Sequence, residues 1–518
     1  MDHDVIVTGG GHNGLICAAY LARAGVDVLV LEARDTVGGC ASTVSALGAR
    51  VNVCNCDHVF TRGAPVAAEL GLAEHGLRYV DLDPHLLAMQ WNGGNPWFGF
   101  HDVERTLESL AQSHPSEVEA YRRYLEVSIP VARLLLSVTQ TIPTPPRVIR
   151  KVVEHRGSGA LTLLRWSRMS VADVLRSFFS AEELLTPAIA MGPAVWGLSP
   201  EAPGSGLGAL TYAIRHLIAP GRPVGGSGAL PEAVAAAVTA AGGRVRCNAR
   251  VGRIHVAGSQ VRGVQLHSGE TIEAPVVISA VDPRTTFVSW LDEPPPRART
   301  LIDKWRSRPL PQGYESKIDA VVATAPVYRA LERVDLDRLG VSDPLNPTAI
   351  VTPSLEGMAA AHSMIGAGRV ATNPLLFVNL PSVADSSLFL PGADGGHVFS
   401  METLFTPYRL NEGWPGSAEP QRWLDKYCEL VQPQFSEGVR RWRVVTPRDY
   451  ESDFGLTGGY APSFGGSPLA ALLGRQRELT RYRTPIRGLY LTGAGTYPGA
   501  GVWGASGRNT AHVVLKGL

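Results

Sequence analysis

A glycine-rich hexapeptide, residues 9–14, is the first stretch whose residue types and spacing imply chemistry. Its sequence GGGHNG satisfies the spacing G-x-G-x-x-G. In such a loop Gly9 permits a tight turn from strand to helix, Gly11 lets the backbone approach a pyrophosphate, and Gly14 allows a helix to pack closely on a sheet. The N-terminus of the following helix adds unpaired N–H groups and a positive dipole. The spacing therefore predicts a dinucleotide site.

Glu32 follows this loop at the distance expected of a ribose ligand, about twenty residues on. Its carboxylate can accept hydrogen bonds from a ribose 2′-hydroxyl and would repel a 2′-phosphate. Shortly beyond it stand Gly38 and Gly39. A short NAD domain does not need this glycine pair. A buried flavin does, because its chain runs inward past the loop and the backbone must come close.

A third glycine-rich segment lies near the C-terminus, where residues 488–509 are GLYLTGAGTYPGAGVWGASGRN. A predicted strand enters a glycine loop, and a helix is predicted to begin between Gly501 and Gly507. The loop amides can hold the phosphate or ribitol side of a flavin and the pyrimidine edge of its ring. A helix N-terminus near the N1–C2=O region would stabilise the reduced flavin. Together the three segments predict FAD rather than NAD.

Parallel α/β elements must position these loops. Residues 4–8 and 26–31 are predicted strands and residues 15–24 the helix between them, which makes a βαβ unit. Residues 104–190 are predicted to be mostly helical, with a break at Pro143, Pro145 and Pro146. The other predicted elements are a glycine-rich turn at 221–228, a helix at 230–241, a strand at 276–280, and a C-terminal strand, loop and helix over 488–492, 493–507 and 508–515.

Composition excludes several classes of protein. The 518 residues include 48 basic and 47 acidic side chains, a net charge of +1, which argues against nucleic acid as a partner. Six cysteines are too sparse for a disulfide scaffold. Cys54 and Cys56 are predicted to be strand residues that point to opposite faces, and no metal site is predicted. The sequence MDHDVIV is unlike a signal peptide, and no run of ~18 apolar residues occurs, so we expect a reduced, cytoplasmic setting.

Two long stretches, GGGHNGLICAAYLARAG…VLEARDTVGG and YRTPIRGLYLTGAGTYPGAGVWGASGRNTAH, resemble the phytoene desaturase family of flavoproteins. The likeness is greatest to its pyridine nucleotide-disulfide oxidoreductase domain-containing branch. Carotenoid isomerase, retinol saturase and amine oxidase are more distant. The central GGSGAL at 225–230, followed by Gly243 and Val251, resembles the family's middle FAD segment. Residues 458–466, GGYAPSFGG, depart from the branch, which has a histidine-containing segment there.

The resemblance implies an α/β fold with a Rossmann-like FAD-binding domain of the glutathione-reductase type, built from residues 1–75, 221–290 and 455–518. A mixed α+β substrate domain would comprise residues 76–220 and 291–454. FAD would be bound non-covalently. The implied cofactor-binding residues are Gly9, Gly11, His12, Asn13, Gly14, Glu32, Ala33, Arg34, Gly38, Gly39, Cys40, Val251, Gly493, Ala494, Gly501, Val502 and Trp503.

Catalytic residues are less clearly marked. By the resemblance, residues 53–62 pass beside the flavin ring, and Asp57 and His58 are the candidate proton acceptors there. The alternatives are a turn-capping aspartate and a structural histidine. Trp196, Tyr497 and Trp503 are candidates for the substrate pocket wall, although buried aromatic side chains are usually core residues. Cys40 has no second cysteine at C-x-x-C spacing, which disfavours dithiol chemistry.

The activity expected from the resemblance is transfer of hydride from a carbon–carbon or carbon–nitrogen single bond of a mainly apolar small molecule to flavin N5, giving a desaturated product. The alternatives are an amine oxidase that uses O2, a redox-neutral isomerase that requires reduced flavin, and a flavin-binding protein without catalysis. The electron acceptor (O2, a quinone or NAD(P)) and the oligomeric state stay open.

One stretch leaves a membrane role open. Residues 127–138, together with Arg147, Arg150 and Lys151, are consistent with an interfacial amphipathic element. The sequence favours the simpler interpretation, a helix of the substrate domain with a solvated basic end.

Overall fold

The computed structural model describes residues 1–54, 56–291, 293–390, 395–460, 464 and 468–518. The strands are β1 (Val5–Thr8), β2 (Val28–Leu31), β3 (Thr43–Ala46), β4 (Ala49–Asn52), β5 (Tyr79–Asp81), β6 (Leu86–Gln90), β7 (Trp97–Gly99), β8 (Gly221–Pro223), β9 (Arg244–Arg246), β10 (Val251–Ala257), β11 (Gln260–Leu266), β12 (Thr271–Glu273), β13 (Val276–Ser279), β14 (Glu315–Val322), β15 (Thr348–Thr352), β16 (Leu375–Asn379), β17 (His397–Leu404), β18 (Val439–Val445) and β19 (Leu489–Leu491).

The α-helices alternate with these strands and fill the long intervals between them. They are α1 (His12–Arg23), α2 (Phe60–Gly63), α3 (Val66–Glu69), α4 (Val103–Ser113), α5 (Val118–Thr139), α6 (Pro145–Glu154), α7 (Ala160–Trp166), α8 (Val171–Arg176), α9 (Glu182–Met191), α10 (Thr211–Leu217), α11 (Ala229–Ala240), α12 (Arg299–Ser307), α13 (Leu355–Gly366), α14 (Pro381–Ala384), α15 (Glu419–Cys428), α16 (Gln434–Glu437), α17 (Pro447–Phe454), α18 (Pro468–Leu472), α19 (Arg477–Thr480) and α20 (Ala505–Val514).

A five-stranded sheet in the order β19-β13-β1-β2-β9 carries the glycine loops. All its neighbouring strands are parallel, although they come from widely separated parts of the chain. Its strands are apolar on both faces, as a sheet covered on both sides requires. Val5 and Val7 pack towards α1, α11 and α20, whereas Ile6 packs towards the antiparallel β10-β11-β12 meander. This is the predicted Rossmann-like sheet built from discontinuous segments.

A second, seven-stranded sheet has the order β18-β14-β17-β16-β15-β6-β7. Only β6 and β15 pair in parallel within it. Alternation along β16 sends Leu376 and Val378 into one apolar core, which α15 covers. Phe377 and Asn379 point to the opposite face, and that face turns towards the glycine loops.

Helices α4 to α10 form a helical lobe on the same side of the seven-stranded sheet. Its core is rich in aromatic rings, among them Tyr121, Tyr124 and Tyr212, which contact one another. Among the described residues, none of the helices has both the length and the apolar composition needed to cross a bilayer.

The predicted elements agree with the structure apart from three local details. The first helix begins at His12 rather than residue 15, because Gly11 caps it and the Leu15 N–H already donates to the Gly11 carbonyl, at 3.0 Å. Residues 221–223 are a strand paired with Tyr79–Asp81, not a turn. The C-terminal helix α20 begins at Ala505 rather than at residue 508. The predicted break at the prolines is confirmed, because α5 ends at Thr139 and Pro145 and Pro146 stand in the first turn of α6, where proline is favoured. The domain boundaries stay a prediction.

Candidate functional site

A cavity of about 630 Å³ runs along the carboxyl ends of the parallel strands. Its lining includes Gly9 after β1, Glu32 after β2, Ala280 after β13 and Gly493 after β19. Ligands of open parallel sheets bind at this edge, outside the carboxyl ends of the strands. The opposite wall is the seven-stranded sheet, so one continuous space joins the glycine loops to that sheet.

The first glycine loop fits a dinucleotide in two separate ways. A Cβ on Gly14 would lie 2.3 Å from the Gly9 carbonyl oxygen and 2.9 Å from the Ala280 Cβ, so a side chain there would push α1 off the sheet. A Cβ on Gly11 would meet no protein atom within 4 Å and would project into open space. Gly11 lines the cavity at the N-terminus of α1, where a pyrophosphate gains unpaired N–H groups.

Glu32 stabilises this loop through hydrogen bonds to its backbone. Its carboxylate accepts hydrogen bonds from the Gly10 N–H, at 2.7 Å, and from the Arg34 N–H, at 2.9 Å. The side chain is buried yet lines the cavity. Each carboxylate oxygen has a further lone pair, so the same group can still accept from a ribose hydroxyl.

Replacing Glu32 by Ala should therefore affect both folding and cofactor binding. The Gly10 and Arg34 N–H groups would lose their acceptor, at a cost of about 1–3 kcal/mol for each that stays buried. We expect a lower free energy of unfolding in urea and weaker FAD binding in a fluorescence titration. Glu32→Gln keeps one amide oxygen and should fall between the two. Unchanged FAD affinity in Glu32→Ala would contradict the role of Glu32.

Most of the predicted cofactor residues line this one cavity. They are Gly9, Gly11, His12, Asn13, Gly14, Glu32, Ala33, Arg34, Gly38, Gly39, Cys40, Val251, Gly493, Ala494, Gly501 and Val502. Of the other predicted residues, Asp57 and Trp196 also line it, whereas His58, Tyr497 and Trp503 do not.

Two predicted pocket residues need correction. Trp503 stacks on Phe60 with ring centroids 4.0 Å apart, and Phe60, not Trp503, lines the cavity. Tyr497 is buried behind the C-terminal glycine loop, where its ring packs edge-on against Phe464. Both rings therefore support the wall from behind. The sequence could not distinguish the two positions, because a wall residue and the residue behind it are equally apolar.

His58 is buried away from the cavity. Its Nδ1 lies 2.9 Å from the Tyr79 hydroxyl. Burial, with His12 nearby, lowers the pKa of His58 to about 3, so the imidazole is neutral at physiological pH. Burial likewise lowers the pKa of His12 to about 4. The structural interpretation of His58 accounts for this position better than a role as proton acceptor.

Asp57 lines the cavity but is engaged in an ion pair. The Arg222 Nε donates to its Oδ1 at 2.7 Å, and the Arg222 side chain is only 4% exposed. Arg222 also donates to the Asn379 Oδ1 at 2.6 Å, and the Thr348 hydroxyl bonds to the Asp57 carboxylate. This network ties the segment after β4 to β8, β15 and β16. Its geometry favours a positioning role for Asp57.

Arg222→Met should destabilise the protein strongly, because it removes a buried guanidinium that donates to both the Asp57 Oδ1 and the Asn379 Oδ1. Breaking a buried pair in this way typically costs about 3–5 kcal/mol. The check is the free energy of unfolding from urea denaturation. The double variant Arg222→Met with Asp57→Asn also removes the carboxylate, and it should recover part of the lost free energy of unfolding. A single variant as stable as the parent would show that the network contributes nothing.

The sheet face that closes the cavity was not predicted from the sequence. Alternate residues of β14 to β17 point into the cavity: Glu315, Thr348, Ile350, Phe377, Asn379 and Glu402. The sequence feature that could have indicated this face is a strand in which polar and apolar side chains alternate. The sequence of β17, HVFSMETL, has this alternation.

Two of these residues are carboxylic acids with raised pKa values. Burial raises the pKa of Glu315, which bonds to the side chains of Tyr314, Cys54 and Tyr450. Burial raises the pKa of Glu402 well above its ordinary value, and the charges of Glu315, Asp57 and Asp319 add to this while Lys317 opposes it. In the described part of the chain, the Glu402 carboxyl has no hydrogen-bond or ion-pair partner.

Three cysteines share the wall. Cys40, Cys54 and Cys56 all line the cavity. The prediction that Cys54 and Cys56 are strand residues pointing to opposite faces is wrong, because both follow the end of β4. The Cys54 thiol hydrogen-bonds to Cys40, and burial adds to this bond in raising the pKa of Cys54. This pairing crosses a β-hairpin, which is why spacing in the sequence did not indicate it.

The glycine-rich segment that departs from the family lies partly outside the described residues, since these omit 461–463 and 465–467. Gly455 and Leu456 line the cavity. The Tyr460 hydroxyl donates to the Trp196 carbonyl at 2.8 Å, and Phe464 N–H donates to the Ala494 carbonyl at 3.2 Å. The described part of the segment therefore joins the helical lobe to the C-terminal glycine loop.

The protein has a parallel sheet, a helix N-terminus at a glycine loop, and a cavity that runs on to a second sheet. These features are those of an FAD-dependent oxidoreductase, which is the class of this protein. The family model described as "Flavin containing amine oxidoreductase" matches residues 14–314, more than half of the chain. The chain belongs to this family.

Individual relatives agree over nearly the whole length. The chain is 28% identical over 565 residues to pyridine nucleotide-disulfide oxidoreductase domain-containing protein 2 of Rattus norvegicus, covering 100% of this chain and 94% of the rat protein. It is 26% identical over 532 residues to phytoene desaturase (lycopene-forming) of Pseudescherichia vulneris, covering 99% of each. Wild-type putrescine oxidase bound to putrescine shares the fold, with a TM-score of 0.62 and 17% identity over 100% of this chain and 99% of the oxidase. The predicted resemblance, fold class and FAD cofactor are thereby confirmed.

Proposed function

We propose that the protein removes a hydride and a proton from adjacent atoms of a mainly apolar small molecule and so desaturates a carbon–carbon or carbon–nitrogen bond. FAD, when bound, supplies the hydride acceptor at its N5 position. The observation that carries the proposal is the single cavity in which the nucleotide loops meet apolar walls and the Glu402 carboxyl. The phytoene desaturase among the relatives, by its name, supports a desaturation.

The residues that would hold FAD follow from the loop geometry. The α1 N-terminus with Gly9, Gly11 and Gly14 would face the pyrophosphate, and Glu32 the adenosine ribose. Val251 would contact the adenine. Near the ring would lie the C-terminal loop, with Gly493, Ala494, Gly501 and Val502.

Apolar side chains from both lobes would orient the substrate. Met191, Val195 and Trp196 line the cavity from the helical lobe, and Ile350 and Phe377 line it from the sheet. Such walls exclude water and hold the reacting bond in one orientation, which is the main requirement for hydride removal.

Glu402 is our candidate for the proton acceptor, in place of Asp57 and His58. A general base works best when its pKa lies near the working pH and when no other proton donor occupies it. Glu402 has a raised pKa and, among the described residues, no partner. Asp57, held by Arg222, would keep the loop beside the reaction centre in place.

An amine substrate is the second candidate, because the acidic wall of Glu315 and Glu402 would attract a cationic nitrogen. The family description and the putrescine oxidase fold are compatible with it. In that case O2 would be the electron acceptor and peroxide would be released.

The test is to mix the FAD-loaded protein anaerobically with a panel of isoprenoid hydrocarbons, apolar alcohols and amines. A hydrocarbon or alcohol that bleaches the flavin absorbance supports the desaturase if the product lacks two hydrogens by mass spectrometry and contains a new carbon–carbon double bond rather than a carbonyl group. Bleaching by amines alone, with peroxide on admitting air, favours the oxidase. Turnover that requires prior dithionite reduction and leaves the product isomeric with the substrate would overturn both.

A further inference from the structure

Arg215 of α10 places a cationic side chain in the wall of the cavity. Burial lowers its pKa to about 10, so the guanidinium stays charged at physiological pH. The helical lobe holds this residue in place. Its Nη1 donates to the Thr211 carbonyl, at 3.2 Å, and to the Thr211 hydroxyl, while the His101 Nδ1 donates to the Arg215 carbonyl at 2.7 Å. A buried charge is costly unless a partner neutralises it.

In the described part of the chain, no carboxylate forms an ion pair with Arg215. Asp57 is the acidic side chain whose charge acts on it most, and Asp57 is already paired with Arg222 at 2.7 Å. Glu315 and Glu402 also line the cavity, but neither bonds to Arg215. The single charge of Asp57 cannot neutralise two arginines, so this end of the cavity has an excess of positive charge.

The unpartnered edge of the Arg215 guanidinium is the one that suits a carboxylate. Thr211 occupies Nη1, whereas none of the described residues accepts a hydrogen bond from Nε or Nη2. These two N–H groups lie side by side on one edge of the planar group, and their spacing matches the two oxygens of a carboxylate. Neither nitrogen is sealed by protein atoms, so the edge is accessible from the cavity that Arg215 lines.

We propose that Arg215 binds a carboxylate of the substrate, so that the protein acts on an apolar carboxylic acid. The carboxylate would supply the missing counter-ion, and the apolar part would lie along Met191, Val195 and Trp196, which line the cavity from the same lobe. One cation with one free edge fits a monoanionic carboxylate better than a phosphate group, which carries about two negative charges and three acceptor oxygens. This inference rests on the proposed function, since it takes the substrate to occupy this cavity.

The experiment is a titration of the FAD-loaded protein with 3-phenylpropionate and with its neutral amide, 3-phenylpropanamide, followed by the change in flavin absorbance. The two ligands share one apolar body and differ in charge, and the parent should bind the acid at least about tenfold more tightly. Arg215→Met should abolish this preference by weakening binding of the acid alone, with FAD affinity unchanged. Arg215→Lys keeps the charge without the paired N–H groups and should fall between the two.

Phenylalanine, which adds an α-amino group to the same acid, distinguishes the two sources of a carboxylate. Tighter binding of phenylalanine than of 3-phenylpropionate would support the proposal and assign an amino acid as the substrate. Weaker binding would support it for an acid without an amine.

Arg168→Met is the matched control, because it removes an exposed arginine from the helical lobe, and it should bind both ligands as the parent does. A parent that binds the acid and the amide equally, or binds neither, would overturn the inference without any variant. So would an Arg215→Met protein that loses FAD affinity, since the guanidinium would then contact the cofactor. The titration needs no turnover, so a protein that binds the acid through Arg215 but oxidises no substrate would contradict the proposed function alone.

Discussion

Replacing Gly11 by Ala should weaken FAD binding on the order of 10- to 100-fold while leaving the stability of the apoprotein nearly unchanged. The new methyl group would meet no protein atom within 4 Å, so folding does not oppose it. It would occupy the space through which the pyrophosphate must approach the N-terminus of α1, and each charge-assisted hydrogen bond lost there is worth about 1.5–3 kcal/mol. FAD titration and urea unfolding of the apoprotein measure the two effects separately.

Gly14→Ala is the matched control, because it adds the same methyl group three residues away. Its Cβ would lie 2.3 Å from the Gly9 carbonyl oxygen, so this variant should lose apoprotein stability by about 1–3 kcal/mol as well as FAD affinity. If Gly11→Ala bound FAD as tightly as the parent, the loop would not be the pyrophosphate site.

Replacing Glu402 by Gln should lower the rate of flavin bleaching by about 10²- to 10⁴-fold without displacing FAD. The amide keeps the size of the side chain but cannot accept the proton. Since the pKa of Glu402 is raised, the carboxylate form grows as pH rises through that pKa, and the parent's rate should climb over the same range. The Gln variant should lack this limb of the pH profile.

Two further variants separate a chemical role from a structural one. Glu402→Asp retains a carboxyl group at shorter reach and should restore part of the rate together with the pH limb. Glu412→Gln changes an exposed glutamate and should behave as the parent. A Glu402→Gln protein with full activity would remove Glu402 from the mechanism, and an identical pH profile would assign the limb to another group.

The parts that the sequence predicted are those that depend on local backbone geometry. The spacing of Gly9, Gly11 and Gly14 requires a strand, a turn and a helix within a few residues, so the loop, the βαβ unit and the cofactor follow together. The C-terminal glycine segment is equally local. Of the seventeen cofactor residues that the family resemblance implies, sixteen line one cavity, and the glycine loops among them lie where the local spacing places them.

The parts that were not predicted depend on contacts between distant segments. Arg222 meets Asp57, Thr348 and Asn379 from three separate stretches of chain. Glu402 faces the cavity only because the register of β17 against β14 and β16 sets which of its residues point there. A shift of register by one residue would turn Glu402 to the opposite core. Sequence spacing alone does not contain this information.

The most direct test of the proposed hydride and proton removal is an isotope effect on flavin bleaching, measured anaerobically with the best substrate of the panel. We predict that deuterium at the carbon losing hydride slows bleaching, and that the product lacks two hydrogens and contains a new double bond. Bleaching that is insensitive to deuterium, with a product that retains both hydrogens, would contradict the account, as would a purified protein that is colourless and takes up no FAD.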